Sequence, residues 1–129
     1  MSPQVVLARP HPFIRQPMME TLTGLGYEAV ASAAAPVGVV VSTSVNSEAG
    51  AFDEVLGEVK ARYGNVPLVI ATLMKPEAAG RSLATIIQKF FPGREVSFLG
   101  SYRKGNVLIV RPEDLATADA RQVLQQHLS

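Results

Sequence analysis

The feature that most constrains this chain is a set of short, unbroken apolar runs that recur along it. They are Val5-Val6-Leu7-Ala8, Val37-Gly38-Val39-Val40-Val41-Ser42, Leu68-Val69-Ile70-Ala71 and Val107-Leu108-Ile109-Val110. A strand wetted on one face alternates apolar and polar residues, whereas a continuous run is a strand covered on both faces, as in a parallel sheet. Between the runs the period changes from continuous to helical. Ile14, Met18, Leu22 and Leu25 predict a helix over residues 13–25, stopped by Gly24 and Gly26. Pro17 is awkward in its interior and predicts a late start near Arg15 or a kink.

The stripe Phe52, Val55, Leu56, Val59 and Tyr63 predicts a second helix, with Asn46 or Ser47 as its cap and Glu48, Asp53 and Glu54 near its positive end. Pro76 opens a third, whose stripe is Ala79, Leu83, Ile86, Ile87 and Phe90, and Pro92-Gly93 ends it. Pro112 opens a fourth, with Glu113 and Asp114 at its positive end and Ala116, Ala120, Val123 and Leu124 on its inner face. Two places break the alternation. A weaker strand, Glu28 to Ala33, ends only about four residues before Val37, and a parallel crossover normally needs a dozen or more. Either these two strands are antiparallel neighbours or the helix between them is reduced to a turn. The run Val96 to Leu99 is joined to Val107 by the link Tyr102-Arg103-Lys104-Gly105-Asn106, which suits an antiparallel hairpin at one sheet edge.

These patterns predict one α/β domain over residues 1–129: a three-layer α/β/α fold whose mostly parallel sheet carries an extra C-terminal β-hairpin. The composition is that of a packed core, 47% hydrophobic and 18% charged. There is no cysteine, which excludes disulfides, thiolate metal sites and a cysteine nucleophile. Twelve basic residues face eleven acidic ones, a balance that gives no electrostatic case for nucleic acid. No apolar run has the length of a membrane span, and Met1 to Val6 lacks the basic start and apolar stretch of a signal peptide, so a cytoplasmic protein is expected. Neither a phosphate-binding glycine fingerprint nor a histidine–carboxylate metal spacing is present, and no cofactor or metal is expected.

The stretch Val-Leu-Ala-Arg9-Pro10-His11-Pro12-Phe13-Ile14-Arg15, with Gly24-Leu25-Gly26-Tyr27-Glu28 after it, resembles the opening of a response-regulator receiver domain. Receivers follow their first strand with an acidic pair that holds magnesium. They end the third strand with an aspartate that accepts a phosphoryl group. A Ser or Thr after the fourth strand and a Lys-Pro after the fifth complete the switch. In this chain the acidic pair falls on Arg9 and Pro10, and the acceptor falls among Ser42, Thr43 and Ser44. The switch hydroxyl falls on Thr72, and the Lys-Pro falls on Arg111-Pro112. Magnesium wants carboxylate oxygens, and an aspartyl phosphate needs a carboxylate. The resemblance therefore implies a flavodoxin-like, receiver-like fold and a degenerate receiver that cannot be phosphorylated in the family's way. Its expected role is protein interaction in bacterial signalling or regulation, with another protein or a second copy as partner and with no catalytic residue.

A second reading stays open, in which the chain is a binding protein or small enzyme for an anionic small molecule. In it, Arg9, His11, Ser42, Thr43, Ser44, Thr72 and Arg111 converge beyond the carboxyl ends of the strands, where doubly wound folds bind ligands. Against it stand commoner uses: Arg9 and Arg111 paired with surface acids, Thr43 or Ser44 as helix caps, His11 as a loop histidine. His127 is expected to be a cation-prone group near a helix end. Arg94, Arg103 and Lys104 with Tyr102 read first as a solvated turn rather than a nucleic-acid surface. Receivers often pair through the surface of their fourth helix and fifth strand. That surface falls on residues 78–102 here, which makes Phe91 and Tyr102 the interface candidates if exposed.

Overall fold

The computed structural model describes residues 2–42 and 52–129. The apolar runs are strands, and all of them are parallel. In chain order the elements are β1 (Gln4–Ala8), α1 (Pro12–Gly24), β2 (Glu28–Val30), β3 (Gly38–Ser42), α2 (Phe52–Tyr63), β4 (Leu68–Ala71), α3 (Pro76–Phe90), β5 (Val96–Phe98), β6 (Val107–Val110), a 3-10 helix (Pro112–Ala116) and α4 (Ala118–His127). The sheet order is β2-β1-β3-β4-β6-β5. Its first four positions match the flavodoxin-like doubly wound order 2-1-3-4-5, with β6 in the fifth place and the short β5 outside it.

Every residue of β3, β4 and β6 is buried, because each strand is covered on both sides. On one face Val5, Leu7, Val40, Val69, Leu108 and Val110 pack with Ile14, Met18 and Leu22 of α1 and with Leu115, Ala120 and Leu124. On the other, Val39, Val41, Leu68, Ile70, Val107 and Ile109 pack with Val55, Leu56 and Val59 of α2 and with Ala79 and Ile87 of α3. The fold is thus a three-layer α/β/α sandwich.

The two irregular places resolve in the same way. β2 and β3 are both parallel to β1 and lie on opposite sides of it. The helix expected between them is indeed reduced to a loop, residues 31–37. β5 and β6 are also parallel, Val96 opposite Val107 and Phe98 opposite Ile109, which corrects the antiparallel hairpin expected here. A parallel link this short works because β5 has three residues and spans only about 10 Å. The eight residues from 99 to 106 reach about 26 Å when extended, ample for the return. The chain turns back at once, through a Ser101 N–H to Phe98 carbonyl bond of 3.1 Å.

Three helix details differ from the sequence expectation. α1 begins at Pro12, not near Arg15, because the His11 ring accepts a hydrogen bond from the Phe13 N–H and caps it. Pro17 then sits inside the helix and forfeits a bond only to the carbonyl of Phe13, a residue in the exposed first turn. The last helix is two pieces, since Thr117 interrupts it and caps α4 by accepting from the Ala120 N–H at 3.2 Å. The short first piece buries Leu115 and turns Ala116 outward, so Ala116 is not on the inner face. Phe91 is 1% exposed, its ring packed in the α2–α3 core. It is a core residue rather than an interface one, because the α3 cap folds it inward. No helix among the described residues is long and apolar enough to cross a membrane.

The α4 anchor gives a direct test. Leu124 is fully buried against the sheet while its neighbour Gln125 is exposed. Leu124→Ala is expected to lower unfolding free energy in urea by about 2–5 kcal/mol, and Gln125→Ala to change it by no more than about 0.5 kcal/mol.

Candidate functional site

Doubly wound sheets offer a crevice at the carboxyl ends of the strands where the winding reverses. Here the reversal falls between β1 and β3, since the chain leaves β1 toward β2 and returns to β3 on the other side. The residues that follow the strands there are Arg9, Pro10 and His11 after β1, and Ser42 at the end of β3. Thr72 follows β4 and Arg111 follows β6. Thr43 and Ser44, together with the expected caps Asn46 and Ser47, lie outside the described residues.

The structure joins His11 to Ser42. The buried Ser42 hydroxyl accepts a 2.9 Å hydrogen bond from the His11 backbone N–H, tying the β1 loop to the end of β3. The His11 ring is turned the other way. Its Nδ1 accepts from the Phe13 N–H at 3.1 Å, and the ring lies 5.2 Å from that of Phe13. His11 is therefore a helix cap. Thr72 is fully buried, and its hydroxyl accepts from the Met74 N–H at 3.0 Å, shaping the turn into α3.

The two arginines are held apart by their own acids. Arg9 Nη2 bonds Glu58 of α2, and Glu58 also faces Arg62. Arg9 has φ +45°, a left-handed conformation that costs a side-chain-bearing residue about 1–2 kcal/mol. Arg111 makes a forked pair with Asp114, 3.0 Å from Nε and 3.2 Å from Nη2, with Glu113 at 3.6 Å. The Asp114 hydrogen bond and charge raise the Arg111 pKa above its ordinary value. Arg9 lines a cleft with Arg15 and Met19 over β1 and β2, while Arg111 lines another with Lys75, Phe98 and Leu99. Of the residues singled out from the sequence, His11 and Ser42 meet, and Arg9 and Arg111 occupy separate clefts.

Sequence reasoning missed the apolar side chains of this edge. Phe13 is 72% exposed, Leu73 43% and Met74 45%. Phe13 follows β1, and Leu73 and Met74 follow β4. A signal existed: the helical stripe of α1 runs through Ile14, Met18 and Leu22 and leaves Phe13 off it, and Leu73-Met74 lies beyond the end of β4 and before the Pro76 helix start.

At the opposite edge His127 is buried, contrary to the cation expected there. Its Nε2–H donates to the Leu68 carbonyl at 2.8 Å, and the half-buried Tyr102 hydroxyl meets Nδ1 at 3.0 Å. Burial lowers the His127 pKa, and the charges of Arg94 and Lys104 lower it further, against the raising effect of the Leu68 bond. Burial likewise raises the Tyr102 pKa.

No protein-family model matches the chain, and no curated protein matches it significantly.

Two measurements follow. Ser42→Ala leaves the His11 N–H without its partner and is expected to cost about 1–3 kcal/mol in chemical unfolding. For His127 the folded pKa lies below the unfolded value of about 6.5. Its contribution is therefore present above pH 6.5 and is lost as pH falls toward the folded pKa. Unfolding free energy should decline on acidification from pH 7, and His127→Gln should flatten that decline.

Proposed function

We propose that this chain is a receiver-like protein-interaction module that acts by contact and not by phosphoryl transfer. The observation that carries this reading is the make-up of the sheet's carboxyl edge. Where the receiver resemblance would set carboxylates, the described residues are Arg9, Pro10 and Ser42, and three large apolar side chains stand exposed along the same edge. Hydroxyls already engaged as acceptors and arginines already paired with acids leave little unspent polar chemistry there. Exposed Phe, Leu and Met, by contrast, are surface that gains by burial against a partner. The strand order and the helices on both faces support the same reading, because the family's interactions use this scaffold. The partner is another protein or a second copy of the chain.

The test has two arms. Beryllofluoride with magnesium is expected to leave the amide spectrum unchanged; saturable shifts at Ser42 and Thr72 would overturn the non-phosphorylatable reading. A photo-crosslinking residue placed at position 13 or 74 is expected to give a discrete adduct in cells of the native source, and one at the exposed Thr85 none. Equal capture from all three positions, or capture from none, would sink the interaction reading. The mass of the adduct separates a second copy from a different partner.

A further inference from the structure

The amino edge of the sheet holds a cleft of about 380 Å³ where the chain enters β4, β5 and β6, walled by Pro67 and Pro92 and backed by the end of α4. This volume lies in the range of small-molecule sites. Arg94, Lys104 and Asn65 line it together with His127 and Ser129, and among the described residues no Asp or Glu side chain does.

Arg94 is the centre of the arrangement. Its Nε–H donates to the Gly105 carbonyl at 3.2 Å and its Nη1–H to the Val66 carbonyl at 3.1 Å. The guanidinium also lies over the Phe91 ring, 5.2 Å from its centroid. Two loops and a buried aromatic thus fix its orientation before any ligand arrives, which removes most of the ordering cost of binding. A guanidinium has five N–H donors, and these two bonds leave the others unspent. Burial lowers the Arg94 pKa, though an arginine stays charged at neutral pH. Among the described residues Arg94 forms no ion pair: Glu58, Glu113 and Asp114 pair with Arg9, Arg62 and Arg111, and Glu95, next in the chain, does not pair with it.

The neighbours add to the same sign. Lys60 lies 5.1 Å from the centroid of the same Phe91 ring and donates to Asn65 Oδ1 at 2.7 Å. This engages the Asn65 acceptor and leaves its amide N–H groups as donors at the cleft. Lys104 Nζ donates to Gln126 O at 2.9 Å and to Ser129 O and Oγ at 3.0 and 3.2 Å, which spends its three N–H donors and leaves it a fixed positive charge at the rim. Arg94 and Lys104 line the cleft beside the same His127. A half-buried cation whose only partners are neutral carbonyls is incompletely compensated, and an oxyanion is the group that compensates it best.

We propose that this cleft binds a small organic molecule through a phosphate or carboxylate group held by the Arg94 and Asn65 donors, with the Lys104 charge at the rim and Pro67 and Pro92 against its carbon body. This site lies at the end of the sheet opposite the proposed contact edge, so either can fail without the other.

The experiment is an amide and side-chain ¹⁵N titration of the intact chain with inorganic phosphate, pyrophosphate and citrate, each against sodium chloride at equal ionic strength. Saturable shifts are expected at the Arg94 Nε–H, the Asn65 side-chain amide and Gly105, with none from chloride. Saturation by the two phosphates alone assigns a phosphate ligand, and saturation by citrate alone a carboxylate one. Arg94→Lys should weaken binding about tenfold, since an ammonium cannot reproduce the guanidinium fork. Lys104→Gln, at the exposed rim, should weaken it by a smaller factor while the spectrum shows the fold intact. Shifts that stay linear, that chloride reproduces, or that survive both substitutions unchanged would overturn the proposal, as would no shift from any of the three anions.

Discussion

The structure depends on a parallel ladder from which water is excluded on both sides. With β3, β4 and β6 buried along their whole length, every amide and carbonyl in them must find a partner in a neighbouring strand, because an unpaired one carries a penalty of about 1–3 kcal/mol. The ladder supplies those partners only in the observed register, Val40 against Val69 and Ile70 against Ile109. Covering both faces then requires helices on both, so the amphipathic stripes of α1 and α4 on one side and of α2 and α3 on the other are consequences of the same condition.

The edges obey a different rule. β2 and β5 have three residues each, and their short length lets the chain return in parallel without a crossover helix. They also end the sheet with little exposed ladder, which limits edge-to-edge pairing. Between these edges the two poles of the sheet differ in chemistry. At the carboxyl pole the polar groups are absorbed: Ser42 and Thr72 shape loops, His11 caps a helix, and the arginines close on Glu58 and Asp114. At the amino pole Arg94 is bonded to neutral carbonyls. The exposed apolar groups are at the first pole and the uncompensated charge is at the second.

Reading the sequence located the central strands almost to the residue, and with them the α/β class. This is because a covered strand leaves no freedom in polarity at any of its positions. Helix interiors were legible for the same reason, with Ile14, Met18 and Leu22 spaced to meet a sheet. What was harder to read were the places where one contact decides. The cap by the His11 ring starts α1 at Pro12 despite Pro17. Thr117 divides the last helix and turns Ala116 outward. A three-residue β5 makes a parallel link feasible where its loop composition suggests a hairpin. Of the candidate site, the strand-end positions were found, but not their pairings. Arg9 meets Glu58 across 49 residues of chain, a separation that no local pattern encodes.

By itself the sequence determined the alternation of covered strands and amphipathic helices, and the lack of carboxylates where a receiver resemblance would need them, because residue type alone fixes burial and ligand chemistry. Tertiary structure decided which charges are compensated. Arg9 and Arg111 fold against acids, Arg94 against carbonyls, and His127, at the end of α4, is buried against the Leu68 carbonyl. Such outcomes depend on which distant segments meet, and the strand order of the sheet settles that.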